Sequence, residues 1–164
     1  MADQQRFDLL ILGDGYTRAE LGKFERTAKK LADYLFTVSP FKERAQDFNV
    51  WGLAVPTEAS GVSRPSTGTH HASALNTRYD IFGSERYVLT LDNRALRDIA
   101  QHAPYEFIEI LVNNDTYGGG GTFFHAVLAV GCSPWRSGQV WMARCDSAST
   151  TVPVEPFPRS ARHS

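Results

Sequence analysis

Residues 6–21, "RFDLLILGDGYTRAEL", carry the reading on which the fold turns. Phe7 to Leu12 form a short, nearly continuous apolar run, the pattern of a strand buried on both faces, and Gly13-Asp14-Gly15 closes it with turn chemistry. Thr17 and Glu20 stand at capping-box spacing, which opens a helix. Leu21, Phe24, Ala28, Leu31 and Leu35 then recur at steps of three and four, so one apolar stripe runs along a helix that reaches about Phe36.

Outward from this unit the pattern repeats with variations. Ser39-Pro40 predicts another helix start, because proline's missing N–H costs nothing in a first turn. "FNVWGLAVP" reads as a second buried strand ending at Pro56. Residues 57–69, "TEASGVSRPSTGT", lack any apolar period and predict a surface loop. "YVLTL" reads as a short strand, and Asp92 predicts a cap for a helix from Asn93 to about His102 with Ala95, Leu96, Ile99 and Ala100 inward. "FIEILVN" is the third main strand. The order βαβ(β)αβ predicts a layered α/β domain whose principal strands are largely parallel and covered by helices.

Composition bounds the function. The 164 residues, 42% hydrophobic and 21% charged, suffice for one core plus a tail. Seventeen basic against eighteen acidic residues leave a net charge of -1, which argues against nucleic acid or an anionic membrane surface as partner. No apolar run has the length of a membrane span, and the N-terminus lacks a signal-peptide pattern. Cys132 and Cys145 are too few for a disulfide framework.

Several chemistries can be tested on the residues. The Gly13-x-Gly15 turn lacks the third small residue of a dinucleotide fingerprint, since position 18 is Arg, so these glycines read as a tight strand-to-helix turn. No two of His70, His71, His102, His125 and His163 are four positions apart, as a helical zinc pair requires. His70 and His71 read as a solvated loop pair, His102 as a helix C-terminal residue, and His125, the least explained of them, as a core or edge residue rather than a ligand. Asp14 suits a buried or capping role better than that of a base. Ser63 and Ser84 have no visible His–Asp partners, and "GVSRPSTG" lacks the P-loop lysine. The run Gly118 to Gly121 after Tyr117 suits a place where another backbone approaches, or alternatively a flexible hairpin.

"LLILGDGYTRAELGKFERTAKKLADYLFTVSPFKERAQDFNVWGLAVP", "SGVSRP", "YDIFGSERYVLTLDNRALRDIAQHAPYEFIEILVN" and "YGGGG", in this order over about residues 7–121, resemble the N-terminal part of the IgA-peptidase family of zinc metallopeptidases. The resemblance implies a zincin-like α/β fold, here incomplete, with zinc as the cofactor of the intact family and a peptide or protein as substrate. It also implies that Tyr117, Gly118, Gly119, Gly120 and Gly121 form an edge of the substrate cleft. In the family a His-Glu-x-x-His helix follows; this chain contains no such motif, so the resemblance implies a fragment with no catalytic or metal residues of its own. Residues 1–130 read as the N-terminal part of the peptidase domain. Residues 131–164, with four arginines, no lysine and repeated Pro and Ser, read as an irregular, mobile tail of the kind an out-of-frame or truncated gene produces. Apolar surface left where a missing half would pack predicts self-association. The competing reading is a non-catalytic peptide-binding α/β module that uses the glycine-rich edge.

Overall fold

The computed structural model describes residues 6–116, 118–122 and 127–131. Five strands, β1 (Phe7–Asp14), β2 (Phe48–Ala54), β3 (Phe107–Val112), β4 (Gly118–Thr122) and β5 (Val127–Gly131), form one sheet in the order β2-β1-β3-β5-β4. The pairs β1–β2, β1–β3 and β3–β5 are parallel, and β4 runs antiparallel to β5 at one edge. Two helices, α1 (Leu21–Leu35) and α2 (Asn93–Ala100), cover the faces. The α/β layering expected from the sequence is the architecture found.

The apolar run of β1 explains why it sits in the middle. Its side chains alternate, so Leu10 and Leu12 join Ile108, Ile110 and Val112 of β3 against Leu96 and Ala100 of α2. Leu9 and Ile11 face the other way, with Val50, Ala54 and Leu111, against Phe24, Ala28 and Ala32 of α1. A fully buried Leu or Ile side chain contributes ~2 kcal/mol, so a strand carrying four of them is held only where helices cover both faces. The expected capping box of Thr17 and Glu20 is present at the helix start. Both the Thr17 N–H and the Thr17 hydroxyl donate to Glu20 Oε2, each at 3.0 Å, and a short 3-10 turn, Arg18–Glu20, precedes α1.

Two local expectations fail. The segment after Ser39-Pro40 forms turns rather than a helix; residues 37–44 are all exposed, and a short segment with no apolar face to bury gains too little to pay for helix nucleation. "YVLTL" is no strand: Leu89 makes a single antiparallel bridge, with Arg78, and the left-handed backbone of Asp80 (φ 61°) turns the chain away before a ladder can extend. The glycine run, in contrast, forms a regular strand.

Between β2 and α2 the chain runs through residues 55–92 with only short 3-10 turns, yet Val62, Leu75, Tyr79, Ile81, Val88 and Leu89 from it are buried in the same core as α2. Asp14, at the end of β1, ties it down. Its buried carboxylate accepts from Ser73 Oγ at 2.7 Å and from the backbone N–H groups of Leu75 at 3.0 Å and Thr77 at 3.1 Å. Asp92 accepts from the Ala95 N–H at 3.0 Å and so caps α2 as expected. Among the described residues no helix is long and apolar enough to cross a membrane. Residues 132–164 of the expected tail lie outside the described residues.

Candidate functional site: the glycine strand and its support

β4 is an edge strand whose one strand neighbour among the described residues is β5, with Gly118 opposite Gly131, Gly119 opposite Val130, Gly120 opposite Ala129 and Gly121 opposite Leu128. The N–H of Gly119 donates to the carbonyl of Arg86 at 2.8 Å, so it points away from β5. Residues alternate along an antiparallel strand in which neighbour they address, so the N–H and C=O of Gly121 are directed outward like those of Gly119.

The even glycines answer to a different demand. A Cβ at Gly118 would lie 2.7 Å from Tyr79 Cε1, and one at Gly120 would lie 2.8 Å from Leu89 Cδ2 and 3.2 Å from the Val88 carbonyl oxygen. The segment around residues 79–89 therefore presses against one face of β4 more closely than any side chain permits. Tyr79 is anchored in turn: its hydroxyl donates to the Thr116 carbonyl at 2.9 Å, and the Arg64 guanidinium carbon stands 5.7 Å from its ring centroid. Arg64 Nη1 also donates to Thr116 Oγ1 at 3.1 Å, which fixes the approach to β4 from a loop 52 positions earlier in the chain. Tyr117, assigned to the same edge from the sequence, lies outside the described residues. Tyr79, Arg86 and Leu89 are the supporting residues that sequence reasoning missed, because nothing in their spacing relates them to the glycines.

The other place where an α/β sheet takes a ligand is the crevice beyond the carboxyl ends of strands that diverge, here β1 and β3. The protein fills it with its own groups. Gly15 (φ 80°) packs so closely on the loop that an added Cβ would be 2.6 Å from the Gly61 carbonyl oxygen, and the Gly61 N–H donates to the Gly15 carbonyl at 2.8 Å. Buried Asn113 donates to the Gly15 carbonyl and Ser60 Oγ, each at 3.0 Å, and accepts from Lys23 Nζ at 2.7 Å. Burial acts to raise the Glu20 carboxyl, but the bonds from Thr17 and Ser60 outweigh it and hold the group below the ordinary range. The buried Tyr16 hydroxyl is pushed far above its usual range by desolvation and by the carboxylates of Glu20, Asp115 and Asp14, so it stays protonated. The Gly-x-Gly turn thus serves packing, as read from the sequence.

The remaining candidates are dispersed. His70 is exposed and His71 half-buried; the His71 backbone, not its ring, exchanges bonds with Ser63 Oγ at 2.9 and 3.0 Å. His102 sits just past α2 with Nδ1 3.2 Å from the Ile99 carbonyl oxygen. Among the described residues no group of three or more His, Cys, Asp or Glu is placed to hold a metal ion, so these residues do not fit zinc. His125, Cys132, Cys145 and His163 lie outside the described residues.

A mixed sheet with an antiparallel outer strand, helices on both faces and a bare glycine edge defines a layered α/β domain. The family model for IgA Peptidase M64 matches residues 2–139, and the chain belongs to that metallopeptidase family. The match includes residues 131–139 of the stretch read as a tail. No curated protein matches the chain.

Proposed function

We propose that this chain presents the peptide-binding edge of an M64 peptidase domain and that, as it stands, it does not cleave peptide bonds. The observation that carries the first part is the outward direction of the Gly121 backbone groups on an antiparallel edge strand, one position in the alternation beyond Gly119, whose N–H Arg86 already holds. An extended peptide adds to such an edge through main-chain hydrogen bonds, with its side chains alternating across the sheet. The family supplies the class of ligand, since peptidases act on peptides or proteins. Gly118 to Gly121 are the described residues of this edge, to which Tyr117 is assigned from the sequence.

The second part rests on the sequence. Two imidazoles four apart on a helix, with a Glu between them, are what hold zinc and take the proton from its water in a His-Glu-x-x-His enzyme. The 164 residues contain no such motif, and of the described histidines His70 and His71 are adjacent in a loop while His102 lies just past α2. The test is to purify the chain, dialyse it against zinc, and measure both bound metal and cleavage of a generic protein substrate. The expected result is far less than one equivalent of zinc and no cleavage. Near-equimolar zinc with chelator-sensitive proteolysis would contradict the second part.

The first part is tested by Gly121→Pro, which removes one outward N–H where an edge strand tolerates proline. Binding of extended peptides by the parent chain and its loss in the variant support the edge; equal binding by both removes it.

A further inference from the structure

The segment that supports β4 also reaches round to its outer edge. The Gly119 N–H donates to the Arg86 carbonyl at 2.8 Å, and the same oxygen lies 3.3 Å from where a Gly118 Cβ would stand. Two residues on, the contacts are with the face of the strand: the Val88 carbonyl oxygen is 3.2 Å and Leu89 Cδ2 2.8 Å from the place of a Gly120 Cβ. The segment therefore crosses from the edge at Gly119 onto the face at Gly120, before the alternation brings the next outward pair of backbone groups, those of Gly121. The crossing is anchored on both sides of Arg86. The Tyr87 N–H donates to the Ser84 carbonyl at 3.1 Å, and Leu89 exchanges two backbone bonds with Arg78, each at 3.1 Å. Val88 and Leu89 are buried in the core that α2 covers. A carbonyl set between two such anchors yields its place only if the structure around it opens.

We propose that the Arg86 backbone is a stop on the β4 edge, so that the edge takes the carboxyl-terminal end of an extended peptide rather than a stretch from the middle of one. This rests on the reading of β4 as a peptide-binding edge and names the class of peptide it selects. An added strand pairs somewhat more stably antiparallel than parallel, and an antiparallel peptide runs along β4 in the direction from Thr122 to Gly118. The peptide residue paired with Gly121 is followed by one opposite Gly120. The next would need the place at Gly119 that the Arg86 carbonyl fills. The bound chain ends there, while its amino-terminal side runs past Thr122, away from the stop. Backbone pairing accepts any sequence; the stop discriminates by chain end, through a clash that an internal stretch meets and a terminus does not.

The experiment titrates the full chain with a hexapeptide of alternating Thr and Val in three forms: capped at both ends, joined directly at its carboxyl end to a small folded carrier protein, and joined to the same carrier at its amino end. The capped and amino-joined forms are expected to bind within about twofold of each other, and the carboxyl-joined form about tenfold more weakly, because the collision with the stop forfeits the bonds at Gly121. Excising residues 82–85 removes the Ser84 acceptor that holds Tyr87 and lets Arg86 move, so the penalty on the carboxyl-joined form is expected to fall to about twofold. Amide exchange in the unliganded parent chain reads the stop without any variant: Gly119 is expected to exchange about tenfold more slowly than Gly121. Equal exchange at the two glycines overturns the stop, whether or not the excised chain folds. A penalty unchanged in a folded excised chain also overturns it, since the collision then lies elsewhere. Equal affinity for the two carrier fusions overturns the stop and keeps the edge, as does weaker binding of the amino-joined form, which reverses the end selected. No binding by any form overturns the edge together with the stop.

Discussion

The unit β1–α1–β2 and the connection formed by residues 55–92 lie on the same sheet and are built by opposite means. In the first, regular hydrogen bonding satisfies the backbone, and alternating or helical apolar positions meet their partners by periodicity alone. In the second there is almost no regular structure, and single polar side chains replace it: Asp14 gathers three donors, Arg64 bridges to Thr116, and Thr90 Oγ1 donates to the Leu75 carbonyl. The difference shows that an irregular segment can be as well buried as a helix when its backbone groups are answered one at a time. It also shows that the irregular half, not the regular one, shapes the glycine edge.

The largest expected effect comes from removing the acceptor on which the irregular half depends most. Asp14→Ala strands three donors in a buried site, and a loss of about 3–4 kcal/mol in urea-induced unfolding is expected. A loss under about 1 kcal/mol would mean that the connection is held by its apolar residues alone. Next is the contact between that connection and β4. Gly120→Ala places a methyl 2.8 Å from Leu89 Cδ2 and 3.2 Å from a backbone oxygen, a clash expected to cost about 2 kcal/mol. Thermal unfolding would show it, and a neutral result would break the claim that residues 79–89 support the strand.

The regular part of the sheet carries its own exception in Glu109, a half-buried carboxyl on β3 with Ile11 and Leu128 as its partners in register. Desolvation pushes its pKa up from 4.5 to about 7. The folded chain therefore holds a proton that the unfolded chain has lost over that window, so the contribution of Glu109 to stability is full below pH 4.5 and is lost as pH rises to about 7. A decline of about 3 kcal/mol is expected across the window, and Glu109→Gln should flatten that part of the stability–pH curve. An unchanged slope would place the titrating group elsewhere. The smallest effect is a gain: Phe82→Gly should add about 1 kcal/mol by removing left-handed strain.

What the sequence made legible follows the same division. β1, α1, β2, α2 and β3 were readable because their apolar residues recur at the period of the element, and Asp92 was readable as a cap because a capping bond spans three positions. The bonds of Asp14 to Ser73, Leu75 and Thr77 span 59 to 63 positions, and no local pattern encodes such a meeting. β4 was legible as a bare backbone but not as a strand, since glycines leave no alternation to read. Nothing in the sequence singles out Phe82; its left-handed backbone is set by the turn around it. The absence of a zinc helix pair, in contrast, depended only on counting histidine spacings.

The account stands most directly on the outer side of β4. Amide hydrogen exchange at Gly121, measured with and without a saturating extended peptide, tests it at a single N–H. Marked slowing at Gly121, with Gly119 little changed because Arg86 already holds its N–H, is the predicted result. An exchange rate at Gly121 unaffected by bound peptide would contradict the assignment of this edge.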